Sequence, residues 1–343
     1  MRGSRAGSAI MPPHRDKRGL SMAQIALVGC GMWGRNIARN LKELGALAAV
    51  SDVDDARGAN FAAQFSCDFA SYDALLSQND IDGVMLATNA STHRALAVQA
   101  LEAGKHVFIE KPMALTLADG QAIKEAVTKT QKQVMVGHLI RYHSAFQTLL
   151  TQIESGAIGR PKHIQANRLA MGRIRNTESA LFDLCPHDLS LILALSQTLP
   201  TQVICHGVSH ISPNNVDILT TALSFEGGLS AHMHTSWLSP YKEHRLSVTG
   251  ETGSLVFDDT KPWSEKLTLY QDSITQAGDL FMIERASPLH VTLPESEPLK
   301  DEVRSFIRLC DEGVLPPTHI DEALGVQIVL EEMQNQLQDL NKT

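Results

Sequence analysis

The chain has 343 residues, 43% of them hydrophobic, and a formal net charge of -8, which is enough apolar material for a sizeable core and more length than one small domain uses. The charge is spread without a basic block, which excludes nucleic acid and an anionic membrane surface as expected main partners and favours small molecules. Cys30, Cys67, Cys185, Cys205 and Cys310 lie far apart with no C-x-x-C pair, so neither a disulfide framework nor a zinc knuckle is indicated and reduced thiols in a cytoplasmic protein are expected.

Residues 1–21 are rich in Arg, Gly, Ser and Pro without periodicity, the composition of a disordered tail, with Met22 a candidate start. The tail lacks the apolar middle of a secretory signal, and no apolar stretch approaches bilayer-spanning length. From Gln24 short apolar runs alternate with helical patterns, the signature of a parallel sheet covered on both faces. The strands are "QIALV", "ALAAV", "CDFA", "GVMLAT", "HVFIE" and "QVMVG". Between them "NIARNLKELG" and "HRALAVQALEAG" space apolar residues three and four apart and end in a glycine suited to a C-cap. The fold expected is α/β, a Rossmann dinucleotide-binding domain over 22–141 followed by a second domain over 142–343.

Directly after the first strand, "GCGMWG" supplies Gly29, Gly31 and Gly34 in G-x-G-x-x-G spacing, with Met32 and Trp33 between them. The glycines permit a tight turn, close approach of backbone amides to a pyrophosphate, and close helix–strand packing, and the helix N-terminus favours the phosphate charge. Asp52, ending the second strand, falls where a carboxylate accepts from the adenosine ribose hydroxyls and repels a 2′-phosphate, so NAD is expected over NADP. Arg57, in the following helix, reads as a solvated side chain. Ligands of parallel sheets bind beyond the carboxyl ends of the strands, which assigns Thr88, Asn89, His93, Glu110 and Lys111 to the cofactor crevice. Pro112 would fix the chain direction after Lys111.

Past "IRYHSAFQTLLTQIESGAIG", a helix closed by glycine, the period becomes two. "TTALSFEGGLSAHMHTSW" and "HRLSVTGETGSLVF" each read as two strands around a glycine turn, "HDLSLILALSQ" as a helix between sheet segments, and "DEALGVQIVLEEMQNQLQDL" as a closing helix. The second domain is thus α+β with a large, mostly antiparallel sheet. "NRLAMGRIRN" gathers Arg168, Arg173 and Arg175 beside Asn167, guanidinium forks suited to a diphosphate or carboxylate. Arg141 and His143 in "RYH" are further candidate substrate contacts. His232 and His234 form an H-x-H pair without an identifiable third ligand, so no metal is expected, and a polar sheet face or subunit contact explains them.

"GCGMWG", "AGKHVFIEKP" and "DLCPHD" in this order resemble the glucose-fructose oxidoreductase, inositol dehydrogenase and MocA (Gfo/Idh/MocA) family from Met22 onward. The resemblance implies a Rossmann domain, a mixed sheet carrying the substrate site and often the oligomer contact, an active-site lysine at Lys111, and a D-x-x-x-H pair at Asp183 and His187. "GHLIRYHSAF", "NRLAMGRIRN" and "LFDLCPHDLSLIL" are similar to nucleotide-sugar 3-dehydrogenases of surface-polysaccharide synthesis, which act on UDP-N-acetylglucosamine or its uronic acid. Cys185, Pro186 and Ser144 depart from the common pattern and put the pocket shape in question.

On this reading NAD takes a hydride from a secondary alcohol, expected at C3. His187 takes the hydroxyl proton, Lys111 stabilises the developing alkoxide or shares the proton, and Asp183 orients the ring or binds a neighbouring sugar hydroxyl. A homo-oligomer, dimer or tetramer, would form through the second sheet. A free-sugar or myo-inositol dehydrogenase, or a non-catalytic NAD-binding sensor, remain alternatives. Pro186 leaves a regular helix between Asp183 and His187 open.

Overall fold

The computed structural model describes residues 22–172, 174, 179–211 and 215–340; the expected tail, Arg173 and Arg175 lie outside the described residues. The first half alternates β1 (Ile25–Val28), α1 (Met32–Glu43), β2 (Leu47–Ser51), α2 (Asp55–Phe65), β3 (Asp68–Phe69), α3 (Tyr72–Leu76), β4 (Gly83–Leu86), α4 (Ala90–Glu102), β5 (His106–Ile109), α5 (Leu117–Thr130) and β6 (Val134–Val136). The strands lie in the order β3-β2-β1-β4-β5-β6, all parallel. Strand order reverses between β1 and β4, so the crevice for a ligand opens over their carboxyl ends. β1, β4 and β6 are buried at every residue, as strands covered on both faces must be.

After a 3₁₀ turn at Leu139–Tyr142 the chain forms α6 (Ser144–Glu154), β7 (Pro161–Met171), α7 (Ala180–Ser196), β8 (Gln202–Val208), β9 (Ile218–Ser224), β10 (Ser230–Ser236), β11 (Leu238–Gly250), β12 (Ser254–Asp258), β13 (Leu267–Tyr270), β14 (Ser273–Ala277), β15 (Leu280–Glu284) and β16 (Leu289–His290), then α8 (Pro298–Glu312) and α9 (Ile320–Leu340). The eight-stranded sheet runs β16-β13-β12-β11-β7-β10-β9-β8. β7 and β10 pair in parallel and the other neighbours are antiparallel. β14 and β15 form a separate two-stranded hairpin. Gln336 on α9 pairs with the outer edge of β8, accepting from Cys205 N–H and donating to Val203 C=O, both at 2.8 Å.

The division at residue 141 is only half of the three-dimensional arrangement. α8 returns to the first sheet, where Val303, Phe306, Ile307 and Leu309 share a core with Ile25, Leu27, Met85 and Phe108. α9 serves both halves: Ile320 and Ala323 pack into the core of β4, β5 and α5, while Val326, Val329, Leu330, Met333 and Leu337 pack against the second sheet and α7. Polar ties reinforce the junction. Glu322 bonds His138 Nδ1 at 2.8 Å, Ser190 Oγ at 2.6 Å and Arg141 at 3.4 Å. Burial works against this carboxylate, but His138, Arg141 and Ser190 together hold it below the usual carboxylate range.

Candidate active site

The turn after β1 is built for close approach. Gly29 has φ +102° and a Cβ there would lie 2.5 Å from Ala87 O, while one on Gly34 would lie 2.0 Å from Gly29 O; neither position tolerates a side chain. A Cβ on Gly31 would meet nothing within 4 Å. Gly31 is the N-cap of α1, contributes no side-chain cap, and the first turn holds no acidic residue. The orphan N–H groups and the positive dipole end are therefore free to receive an anion, which fits a dinucleotide pyrophosphate.

Asp52, at the end of β2, is tied to this turn. Its Oδ2 accepts from Cys30 N–H at 2.8 Å and its Oδ1 from Asp54 N–H at 2.9 Å. Arg57 is not the solvated side chain expected: its guanidinium grips both carboxylate oxygens, with Asp52 5% and Arg57 49% exposed in their side chains. Burial would raise the Asp52 pKa, but Arg57, Asp54 and Cys30 together lower it. A half-exposed guanidinium thus stands beside the Asp52 carboxylate.

Across the sheet ends lies a cleft of about 370 Å³ lined by Met32, Trp33, Thr88, Asn89, Glu110, Lys111, Gly137, Leu139 and His187. The glycine-loop residues, the β4 and β5 ends and the α7 imidazole thus share one cavity. Met32 and Trp33 stand exposed at its lip. Trp33 Nε1–H donates to Glu110 Oε1. Asn89 is the N-cap of α4 and Thr88 Oγ1 meets Thr92 Oγ1 at 2.8 Å.

Lys111 crosses to the other half of the molecule. Its Nζ donates to Asp183 Oδ1 at 2.8 Å and to Asp183 C=O at 2.7 Å, and the Lys111–Pro112 peptide is cis. α7 runs unbroken through Pro186, so Asp183 and His187 stand one turn apart on one helix, which settles the point the sequence left open. The ring of Pro186 deprives Phe182 C=O of its helical donor and opens the turn, beside the carbonyl that Lys111 reaches. His187 is partly buried in the cleft wall, and its Nδ1 has no hydrogen-bond partner among the described residues. Burial first, then the charges of Lys111 and Arg168, hold its pKa well below the usual histidine value, so the imidazole is neutral at pH 7.

Other expected site residues are occupied elsewhere. His93 is buried, with Nδ1 3.0 Å from Pro112 C=O and Nε2 3.2 Å from Thr88 C=O, so both ring nitrogens are held by backbone carbonyls. Arg168 forms a buried two-pronged pair with Asp188 at 3.0 and 2.6 Å. Arg141 reaches Ser190 C=O and Glu322. His143 caps α6, stacks on Trp263 and lies 3.6 Å from Asp259. Asn167 points to the opposite face of β7 and donates to Glu243 at 2.7 Å. None of these five lines the cleft. On the same outer face His232 Nδ1 lies 3.4 Å from His163 Nε2 and His234 Nδ1 3.1 Å from Thr220 Oγ1.

One residue the sequence did not flag is Glu302 on α8. Both its carboxyl oxygens are buried without a partner among the described residues. Burial, then the neighbouring Glu110 charge, raises its pKa well above the usual value, and burial raises that of Glu110 as well. A neutral acid thus stands behind the cleft wall.

Residues 23–138 match the Gfo/Idh/MocA oxidoreductase family, NAD-binding Rossmann fold, and residues 146–256 match the C-terminal domain of the same family. A UDP-N-acetylglucosamine 3-dehydrogenase of Acidithiobacillus ferrooxidans is 32% identical over 224 residues, 65% of this chain and 69% of that protein. Its crystal structure superposes with a TM-score of 0.80 at 25% identity, covering 93% of this chain and 98% of that one. A scyllo-inositol 2-dehydrogenase (NAD(+)) of Bacillus subtilis is 29% identical over 246 residues, 67% of this chain and 72% of the relative.

Proposed function

The chain belongs to the Gfo/Idh/MocA oxidoreductase family, and from that premise we propose that it is an NAD-dependent dehydrogenase oxidising a secondary hydroxyl, at C3, of a UDP-N-acetyl-sugar or its uronic acid. The observation carrying the reading is the cleft that Lys111 and His187, from opposite halves of the molecule, share with Met32 and Trp33 of the glycine motif. The 3-dehydrogenase relative is 32% identical against 29% for the scyllo-inositol dehydrogenase, and the nucleotide sugar is the reading carried forward.

NAD, when bound, supplies the hydride acceptor. Gly29, Gly31 and Gly34 with the α1 N-terminus would hold its pyrophosphate, Asp52 its adenosine ribose, and Thr88, Asn89 and Glu110 its nicotinamide half. The residues of this chain must then dispose of the hydroxyl proton. His187, kept neutral by its surroundings, is the acceptor. The Lys111 ammonium, steadied by Asp183, favours the negative charge growing on the substrate oxygen. Asp183 positions the lysine. Arg57 leaves NADP a weaker alternative.

Self-association through the open face of the eight-stranded sheet is part of the same proposal. Gln165, His232, Thr220 and Arg245 stand exposed there, while α7 and α9 cover the other side.

The test is a screen of UDP-N-acetylglucosamine, its uronic acid, UDP-glucose, free N-acetylglucosamine and myo-inositol with NAD and with NADP, read by absorbance of the reduced nicotinamide. Turnover of a UDP-N-acetyl-sugar with NAD is expected. Turnover of myo-inositol alone would overturn the substrate assignment, and reduction of neither dinucleotide by any alcohol would overturn the reaction.

A further inference from the structure

His187 is placed without a hydrogen bond on its inner nitrogen. Nδ1 has no partner among the described residues, whereas an imidazole that moves a proton is ordinarily aimed by the bond its second nitrogen makes. Directly before it, Pro186 brings no N–H to the helix, so the α7 backbone is loosened where His187 leaves it. The pose of the ring is therefore set by what holds α7 on either side.

Two ties do so. One turn earlier, Asp183 Oδ1 takes the Lys111 ammonium at 2.8 Å. Three residues later Ser190, fully buried, donates its Oγ–H to Glu322 Oε1 at 2.6 Å, and its C=O accepts from Arg141 Nη1 at 3.3 Å. The other oxygen of Glu322 lies 2.8 Å from His138 Nδ1. His138 stands between Gly137 and Leu139, which line the cleft, and Gly137 N–H donates to Ile109 C=O at 2.8 Å, two residues before Lys111. One carboxylate of α9 thus spans from the strand end that carries Lys111 to the helix that carries His187.

We propose that Glu322 is a positioning residue for the proton transfer, fixing through Ser190 and His138 where the His187 imidazole stands against the Lys111 ammonium. The proposal rests on the assignment of His187 as proton acceptor. Misplacing a reacting group by about 1 Å costs up to ~10²-fold in rate, so a side chain outside the cleft governs kcat through the seat it gives the base. The same seat governs titration. The charges bearing on His187 come from Lys111 at the end of β5, Arg168 on β7, His138 after β6 and His244 on β11, while Asp183, on its own helix, is paired with Lys111. Burial outweighs them all, and it lasts only while α7 stays seated. Water admitted by a slackened α7 lets the imidazole take its proton at higher pH.

The experiment compares wild type, Ser190→Ala, Glu322→Ala and Glu322→Gln in the full chain. Steady-state kinetics with NAD and the sugar nucleotide that wild type turns over give kcat and KM. NMR of isotope-labelled histidine, with the His187 signal assigned by its loss in His187→Gln, gives the titration midpoint without turnover. Ser190→Ala and Glu322→Ala are expected to lower kcat about 10- to 100-fold with KM for NAD within about twofold, and to raise the His187 midpoint. Glu322→Gln, whose amide oxygen accepts from Ser190 and whose amide N–H donates to His138 in its other tautomer, is expected to recover both. Unchanged kcat and midpoint in folded Ser190→Ala, or a Glu322→Gln as impaired as Glu322→Ala, would overturn the proposal. Should Glu322→Ala fail to fold, Ser190→Ala, which removes a single hydroxyl, decides alone. Should wild type oxidise no sugar at all, the functional reading fails and the NMR titration still decides this one: a raised midpoint in Ser190→Ala upholds the seat, and an unmoved midpoint refutes it.

Discussion

Replacing Lys111 by Met keeps the side-chain length and deletes the ammonium that bonds Asp183 at 2.7 and 2.8 Å. Charge-assisted hydrogen bonds of this kind are worth about 1.5–3 kcal/mol each when one partner is removed. Asp183 has further interactions, so the stability loss should be about 1–3 kcal/mol, roughly 2–6 °C in Tm. Catalysis should suffer more: losing a positive group aimed at a developing oxyanion costs about 10²–10³ in kcat, near 2.7–4 kcal/mol. NAD binding should stay within about threefold.

The pH profile carries the sharper test. A base works when deprotonated, so activity falls as pH drops through its pKa. In wild type burial and then the Lys111 charge hold His187 well below its ordinary value, and kcat/KM should show no acid limb near the ordinary histidine range. With the ammonium gone the His187 pKa moves back upward and the acid limb of the residual activity moves to higher pH. Steady-state kinetics of wild type, Lys111→Met and Lys111→Arg across the acid and neutral range measure this. Wild-type kcat in the Met variant, or an acid limb that does not move, would refute the arrangement. Full recovery with Arg, which cannot give up its proton, would confine the lysine to an electrostatic role.

Arg57→Ala should leave Asp52 tied only by Cys30 and Asp54 N–H and strengthen discrimination against NADP by several-fold, while Asp52→Asn weakens NAD and relaxes the preference. Isothermal titration with both dinucleotides checks this, and an unchanged ratio in both variants would remove the pair from the ribose site. Glu302→Gln mimics the protonated acid. Because the folded pKa of Glu302 is raised, its contribution to stability is complete below the unfolded value of about 4.3 and is lost as pH rises through the folded value. The variant should therefore melt near wild type at acid pH and above it at alkaline pH. A lower Tm than wild type on the alkaline side in differential scanning calorimetry would contradict a neutral Glu302.

The first sheet was legible because parallel strands buried on both faces write continuous apolar runs, and its glycine turn because only glycine fits at Gly29 and Gly34. Lys111 and His187 were legible as motif residues, but their shared cleft was not, since 76 positions separate them and only the fold closes that gap. The partners of Arg168 and Arg141 are likewise products of packing. A signal was nonetheless present at Asn167 and Arg168: neighbours on a strand face opposite sides, so the two could not both reach one substrate. α8 was also readable, with Pro298 at its start, Val303, Phe306 and Ile307 at helical spacing, and Gly313 closing it at φ +68°. Glu302 was not, because a glutamate in a helical run has the look of a surface residue until another element covers it.

The last helix has a consequence for how ligands come and go. Its first turns are embedded in one lobe and its remainder in the other, with Glu322 riveting the seam. A jaw-like swing between the lobes would pull α9 out of one core or the other. A dinucleotide would enter past Met32 and Trp33 at the exposed mouth of the cleft, and turning the indole aside breaks its hydrogen bond to Glu110.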